Sequence, residues 1–594
     1  MKQRRAAARG EAEGSRVDPI TLAVFEGFLR ATANEMGVSM HRTCRSPVLK
    51  LAHDYSNAIF DAGPRSVMQA DEIPVHLGAL KFSTGTVARY FAGDVGPGDV
   101  MLHNNPATGG THKQDWCMYR PVFHEGELMF WAVSTAHMED VGGVVPGGYN
   151  PLAEECYAEG VRITPVKIYE GGRERRDVVD LLLGMVRTPD HTRGDMRAQL
   201  GALGLCEQRL QELMRRYRPE TIKACIEEFL GRTEMRVRHA IRGMPDGVYE
   251  GRSFVEDDGH GSGPTEVRCR VTIVGDELRA EIRSREQVRS YFNSYYANTA
   301  SAIYFGVLTY MDADVAHNEG AFRPIHIDLG PAGTMLNAVE PAATSMATTT
   351  PWDSIVESVR DAMSKAVPQR AVAGSSHMCF SIWSAPDPRN GRLYVFSAVP
   401  GLMGGGGAAW GLDGWPCQGT VATSGGLLYG DIELLEHEYP IHTHAFEFAP
   451  DSACPGRWRG GIGGYYEVEP VGHTTVASSI GEGTQFAPPS LVGASSPHNQ
   501  RRVYRRHIVR GAESEPVPMH AVTSLGPGER YVSVSPGGGG VGEPFTRDPE
   551  AVRRDVRDGV VSVDRAREEY GVVIDPGTLE VNLDATLGLR RGRA

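Results

Sequence analysis

His112, Asp115 and His137 are the residues whose types and spacing in this chain suit chemistry. They lie in two short runs, Asn105-Pro-Ala-Thr-Gly-Gly-Thr-His-Lys-Gln-Asp-Trp116 and Ala136-His-Met-Glu-Asp-Val-Gly-Gly143. The stretch between them reads as a β-hairpin. Apolar residues run from Met118 to Phe123, His124-Glu-Gly-Glu127 makes a turn, and a second apolar run follows from Leu128 to Val133. Folding about residues 125–126 places residue 115 roughly opposite residue 136. Asp115 and His137 then meet at one end of the hairpin, with His112 just before it. Imidazole and carboxylate converging on one point suit Zn2+ or Mn2+. A plain hydrogen-bonded pair is the commoner use of a neighbouring His and Asp, and spacing alone does not exclude it.

Carboxylates follow the second run. Glu139 and Asp140, with Glu155 and Glu159 beyond them, are candidate general bases near a metal-bound water. Glu139 or Asp140 could instead orient a ligating imidazole, and any of the four could be purely structural. Cys117 stands two residues after Asp115, but no His-Asn pattern supports a thiol mechanism; a packed strand residue is the simpler reading. His442-Thr-His444 places two imidazoles on one strand face without an acid at ligand spacing. The glycine runs Gly404–Gly407 and Gly537–Gly540 do not continue as Gly-Lys-Ser/Thr, so neither is a P-loop; turns and close packing explain them. Gly142–Gly148 is a breaker-rich loop. No Gly-x-Ser-x-Gly elbow points to a serine hydrolase. The sequence carries no nucleotide signature, so any ATP used is expected on another subunit.

The elements that must position these residues are legible in outline. Asp18-Pro19 opens a helix whose buried face is Leu22, Phe25, Leu29, Ala33, Met36 and Met40. Leu51–Asp61 reads as a strand. Residues 195–217 and a segment from Pro219 read as two helices suited to a helical hairpin. From Gly247 the pattern turns to strands, with Val267, Cys269, Val271 and Ile273 alternating. Helices are expected at 297–312 and 353–366, short strands in a Gly-rich region beyond 375, and helices within 548–571. The predicted class is α+β, a multi-domain mixed chain with a β-rich middle. The expected division is a tail at 1–17, a metal-site domain with the helical hairpin at 18–245, a mixed β/α domain at 246–375, and a Gly-rich β region with C-terminal helices at 376–594.

Composition bounds the function. The 594 residues exceed one simple core. A net charge of −13 argues against nucleic acid as main partner. The nine cysteines form no CxxC pair and are odd in number, which suits reduced thiols in the cytoplasm. No apolar run is long enough to span a membrane, and Met1–Val17 has no apolar signal-peptide core; it reads as a disordered tail.

Gly109-Gly-Thr-His-x-x-Asp115 and Ala136-His-x-x-Asp-Val-Gly-Gly143 together resemble the hydantoinase B/oxoprolinase family. The likeness continues through Glu159–Lys167, Arg193–Gln199, Asp257–Gly263, Asn318–Pro324, Glu436–Pro440, Ser535–Gly540 and Asp558–Val563, covering about residues 18–575. The resemblance implies a hydantoinase B-like fold. It implies a subunit of an ATP-dependent hydrolase acting on a hydantoin, lactam or oxoproline-like cyclic amide, with a ketone carboxylase of the acetone or acetophenone type as the alternative. It implies a hydantoinase A-type, actin-like ATPase partner in paired heterodimers, a heterotetramer. It also implies a divalent metal, Zn or Mn, held by Asp54, His112, Asp115 and His137; Asp54 enters on this ground alone. A non-catalytic scaffold that has kept the fold is a third reading, which intact ligands oppose. The chain departs from the family pattern at Lys113-Gln114, where Leu-Pro is common, at Trp116 and at Met138. These positions adjoin the candidate ligands and so bear on substrate choice.

Overall fold

An antiparallel sheet of seven strands carries the residues of interest. Its strands are β1 (Tyr55–Asp61), β2 (Ser66–Gln69), β3 (Val100–His103), β4 (Asp115–His124), β5 (Glu127–His137), β6 (Val166–Glu170) and β7 (Arg173–Glu174), in the order β2-β1-β5-β4-β3-β6-β7. The structure, a computed structural model, describes residues 17–70, 72–397, 401, 404–424, 426–495 and 502–592. The stretch read as a disordered tail lies outside the described residues, except for Val17.

β4 and β5 form the expected hairpin. Glu125 and Gly126 both have positive φ, 50° and 86°, the primed-turn conformation that suits right-twisted strands. The register differs from expectation by one residue. Phe123 faces Leu128 but Val122 faces Phe130, so Met129 is an extra residue on β5. This bulge sets Asp115 directly opposite His137 instead of residue 136. Side chains alternate faces along a strand, and directly opposed residues share a face. The extra residue therefore puts both side chains on one side of the sheet.

Two long helices brace the sheet. In α1 (Pro19–Thr43) Asp18 caps the N-terminus through a 2.9 Å bond from the Thr21 amide, and the six expected apolar residues are buried. α2 (Pro189–Arg216) packs on α1 and across β4 and β5. Its first turns carry two polar anchors. Asp195 accepts the amides of Arg45 and Ser46 at 2.6 and 3.1 Å, fixing the turn that leads into β1. Gln199 Nε2 donates to the Trp116 and Ser134 carbonyls, both at 2.9 Å, tying the helix to both strands of the hairpin. The expected helical hairpin opens out. Tyr217 and Arg218 are both extended, so α3 (Pro219–Arg242) leaves α2 and packs on the short helix Glu319–Phe322.

The β-rich middle follows. β8 (Gly247–Val255), β9 (Thr265–Val274), β10 (Glu277–Arg283) and β11 (Ile325–Asp328) form a sheet in the order β11-β10-β9-β8. The alternating residues of β9 point into its core. α4 (Tyr296–Leu308) packs against α5 (Thr350–Ala366), which also lies on β8 and β9. Two further sheets follow, and after them the short helices Pro549–Arg557, Val563–Tyr570 and Leu583–Arg591, the first two within the expected 548–571. One sheet orders β12 (Cys379–Pro386), β13 (Leu393–Ser397), β16 (Thr475–Gly481) and β19 (Ala521–Leu525) as β13-β12-β16-β19. The other orders β14 (Ile441–Ala449), β15 (Gly463–Pro470), β17 (Arg505–Arg510), β18 (Glu513–Pro516) and β20 (Glu529–Val534) as β14-β15-β20-β17-β18. The glycine runs close-pack backbone on backbone: a Cβ at Gly538 would lie 2.0 Å from the Gly406 carbonyl oxygen. One apolar core joins α1, α2 and the first sheet. A larger one gathers the middle sheet, α4, α5 and the segments around Ile73, Tyr149 and Met346. Among the described residues no helix is long and apolar enough to cross a membrane.

Among the described residues Gln199 is the only side-chain partner of those two strand carbonyls, so Gln199→Leu should destabilise the first sheet by about 1–3 kcal/mol. An earlier urea transition checks this; a curve superimposable on the unaltered protein's would show that the carbonyls find other partners.

Candidate metal centre

The turn before β4 is built by side chains that hold backbone. Asn104, at the end of β3, donates to the Lys113 and Val161 carbonyls at 2.6 and 3.0 Å and accepts the Ile163 amide at 2.6 Å. This sets His112 at the mouth of the strand that begins with Asp115. The bulged register brings His137 across.

Three donor atoms converge there. His112 Nε2 lies 3.0 Å from Asp115 Oδ1 and 3.2 Å from His137 Nδ1, and His137 Nδ1 lies 3.4 Å from Asp115 Oδ1. Ligands bound about 2.1 Å from one ion lie about 3.0–3.4 Å apart in octahedral or tetrahedral geometry, so the triangle has the size a divalent ion requires. Among the described residues this is the only group of three such side chains with donor atoms so close. Asp54 Oδ2 stands at the edge, 3.8 Å from His137 Nδ1.

The tautomer of His112 fits the same use. Its Nδ1 lies 3.0 Å from the Ser345 carbonyl oxygen, which can only accept, and 3.1 Å from Thr348 Oγ1. With the proton on Nδ1, a neutral His112 presents a lone pair at Nε2. Asp115 is likewise committed. Thr111 Oγ1 donates to its Oδ2, and His76 Nε2 lies 3.3 Å from the same oxygen. Oδ1 is left facing the two ligand nitrogens. His76 is itself held by Ser56, 2.8 Å from its Nδ1. Tyr149 stacks on His137 with ring centroids 6.0 Å apart.

The charges agree with a site built for a cation. Burial favours a neutral Asp115, yet His112 and His76 outweigh it and hold the carboxyl well below its usual range. Burial likewise opposes charge on His112, and Asp115 overrides it and raises the pKa. Burial raises the pKa of Asp54, with His137 as the opposing influence. His112 and Asp115 are 3% and 4% exposed, whereas His137 and Asp54 are 13% and 18% exposed, so the open side lies between the latter two.

Other candidates lie elsewhere. Asp140 is fully buried and spent on backbone: its oxygens accept the amides of Gly142, Gly147 and Arg187, each at 2.8–2.9 Å, and Arg187 Nη1 at 3.2 Å. It anchors the 142–148 loop and has no lone pair to spare for proton transfer. Glu139 accepts Tyr439 Oη at 2.8 Å and pairs with His191 Nδ1 at 2.8 Å. Neither residue orients His112 or His137; Ser345 and Thr348 orient His112. Glu155 is exposed, its backbone bridged to Ala342. Cys117 is a packed strand residue whose thiol burial pushes up to about 12. His442 and His444 each pair with their own glutamate, Glu436 and Glu469. The residues that depart from the family pattern serve the scaffold. Lys113 Nζ donates to the Cys156 carbonyl and Gln114 Nε2 to that of Gly147, while Trp116 and Met138 fill the first core.

The profile of the hydantoinase B/oxoprolinase family matches residues 18–544. The chain belongs to this family. It is 42% identical over 563 residues to the caprolactamase subunit beta of Pseudomonas jessenii, covering 94% of this chain and 97% of the relative. The crystal structure of the ATP-dependent caprolactamase from Pseudomonas jessenii contains a chain that superposes with a TM-score of 0.91 at 40% identity, over 97% of this chain and all of that one. An acetone carboxylase structure superposes with a TM-score of 0.86 over 97% of this chain and 83% of its own, and at 18% identity that likeness is one of fold.

Glu139 sets the titration of His191. Their hydrogen bond lifts the His191 pKa to about 9. A pKa raised on folding adds stability that is complete below the unfolded value near 6.5 and lost as pH rises through about 9. Glu139→Gln should flatten the fall of melting temperature across that window. An unchanged slope would break the assignment of the pair.

Proposed function

We propose that this chain is the metal-bearing subunit of an ATP-dependent cyclic-amide hydrolase acting on a lactam, hydantoin or oxoproline-like ring. The observation that carries the reading is the triangle of His112 Nε2, Asp115 Oδ1 and His137 Nδ1, 3.0–3.4 Å on a side, in a chain 42% identical to a caprolactamase subunit. The relative is named as one subunit, and this chain has no Gly-Lys-Ser/Thr nucleotide loop. A partner of the hydantoinase A type, with an actin-like ATPase fold, is therefore the proposed source of phosphoryl transfer, in paired heterodimers. Nine free cysteines, eight of them buried, support a reducing cytoplasmic setting.

His112, Asp115 and His137 would hold a divalent ion, Zn or Mn, with Asp54 as the fourth ligand. The ion would supply Lewis-acid chemistry, making water acidic enough to attack an activated amide carbon near neutral pH. Each residue has a separate task. Ser345 fixes the tautomer of His112. Thr111 and His76 occupy one oxygen of Asp115 and leave the other free. Tyr149 walls one face of His137. The open side between Asp54 and His137 admits substrate and water. A planar amide resists attack by water; phosphorylation of its oxygen by the partner makes the carbon electrophilic, so that water adds there, the ring C–N bond breaks with its nitrogen leaving as the protonated amine, and the acyl phosphate that remains is hydrolysed by a second water to carboxylate and phosphate.

Asp115→Ala should lower bound metal from stoichiometric to near zero and turnover by at least about 100-fold, with the fold retained. Metal analysis and circular dichroism check this; metal content at the unaltered level would sink the ligand assignment. The function itself is tested by substrate-dependent ADP release from this chain with its ATPase partner, over cyclic amides and ketones, with and without bicarbonate. Turnover of a cyclic amide without bicarbonate is expected. Bicarbonate-dependent turnover of a ketone would overturn the reading in favour of carboxylation.

A further inference from the structure

Glu159 is a fully buried carboxylate that the ligand cluster does not use. Its Oε1 accepts two consecutive backbone amides, Thr344 at 2.7 Å and Ser345 at 2.6 Å. The next group along the chain is the Ser345 carbonyl, which receives the His112 Nδ1 proton at 3.0 Å. One peptide segment thus joins the carboxylate to the imidazole. The segment has few other ties to the strands that carry the ligands: Thr344 Oγ1 and the Ala343 carbonyl bond to Asn293, and the Met346 amide to the Tyr291 carbonyl, all within the larger core. Glu159 comes from the other side, in the loop that Asp140 and Lys113 tether to the first sheet.

We propose that Glu159 is a positioning residue for the metal centre, clamping the 344–345 amides so that the Ser345 carbonyl stays aimed at His112 Nδ1. The proposal rests on the metal-binding reading of the cluster. Glu159 transfers no proton in this role. Both amide bonds go to Oε1, so the side-chain oxygen of glutamine can take that place, while Lys113, whose charge faces Glu159, keeps its own bonds to the Cys156 and Gly160 carbonyls. The role therefore makes an unusual demand: glutamine should serve, whereas a shorter side chain should not.

The test compares Glu159→Gln, Glu159→Ala and Glu159→Asp in the full chain with its ATPase partner. Aspartate keeps the charge but withdraws the acceptor, and it covers the case in which alanine does not fold. Mn2+ affinity by calorimetry, turnover, and crystal structures of the metal-free variants are the readouts. Glu159→Gln should bind Mn2+ within about threefold of the unaltered protein and keep the His112–Ser345 contact. Glu159→Ala and Glu159→Asp should lose that contact and bind Mn2+ about 10- to 100-fold more weakly. An intact contact in the alanine or aspartate variant would overturn the proposal. So would a glutamine variant that binds Mn2+ normally but does not turn over, since Glu159 would then be moving a proton. If the unaltered protein takes up no metal, the proposed function fails, and the crystallographic contact still decides whether Glu159 positions His112.

Discussion

Three electron-rich atoms held 3.0–3.4 Å apart repel one another unless a cation or shared protons lie between them. No such triangle forms by default. The protein must hold each donor from behind, and much of the surrounding structure does so. The strand ladder opposes Asp115 and His137, Thr111 and His76 seize the far oxygen of Asp115, and a carbonyl fixes the ring of His112. Even the helix α2 serves this end, because Gln199 clamps both strands one residue inward of Asp115 and three inward of His137.

The supports come from two apolar cores. The strands with the ligands belong to the core shared by α1, α2 and the first sheet. Ser345 lies on a segment whose neighbours Ala343 and Met346 belong to the larger core, and His76 follows Ile73 and Val75 of that same core. The donors are thus complete only where the two cores meet. Burial at that seam works against charge on both Asp115 and His112, and their mutual attraction, little screened by water there, overrides it and gives their opposed pKa shifts. It also leaves the open side beside Asp54 and His137.

Much of this was readable in the residues. The hairpin and its turn followed from the apolar runs around His124–Glu127, and the first helix from Asp18-Pro19 and its buried face. The α+β class followed from the shift to alternation after Gly247. Asp54 required the family resemblance, since a residue just before a strand carries no spacing signal. His76 and Ser345 were invisible, because they reach the cluster through tertiary packing from residues far along the chain. Ser56 had a faint signal, two residues from Asp54 and so on the same side. For Glu139 and Asp140 adjacency in sequence to the ligands leaves catalytic and structural roles open, and their hydrogen bonds fit the structural one. After β5 the chain turns away, and both carboxylates follow it into buried contacts with Arg187, His191 and Tyr439. The helical hairpin failed for a local reason, two extended residues between α2 and α3.

Met129 adds one residue to β5 and carries no chemistry. Yet parity is what it supplies: with an even offset between strands, ligand would face ligand's backbone neighbour, and with the odd one ligand faces ligand. Length changes in this hairpin are therefore not interchangeable in descent. A gain or loss of two residues preserves the arrangement, whereas a single-residue change inverts it, however mild it looks in an alignment. A lineage crossing that boundary would keep every ligand in its sequence and lose the centre, so counting residues around the turn is as informative as finding the histidines.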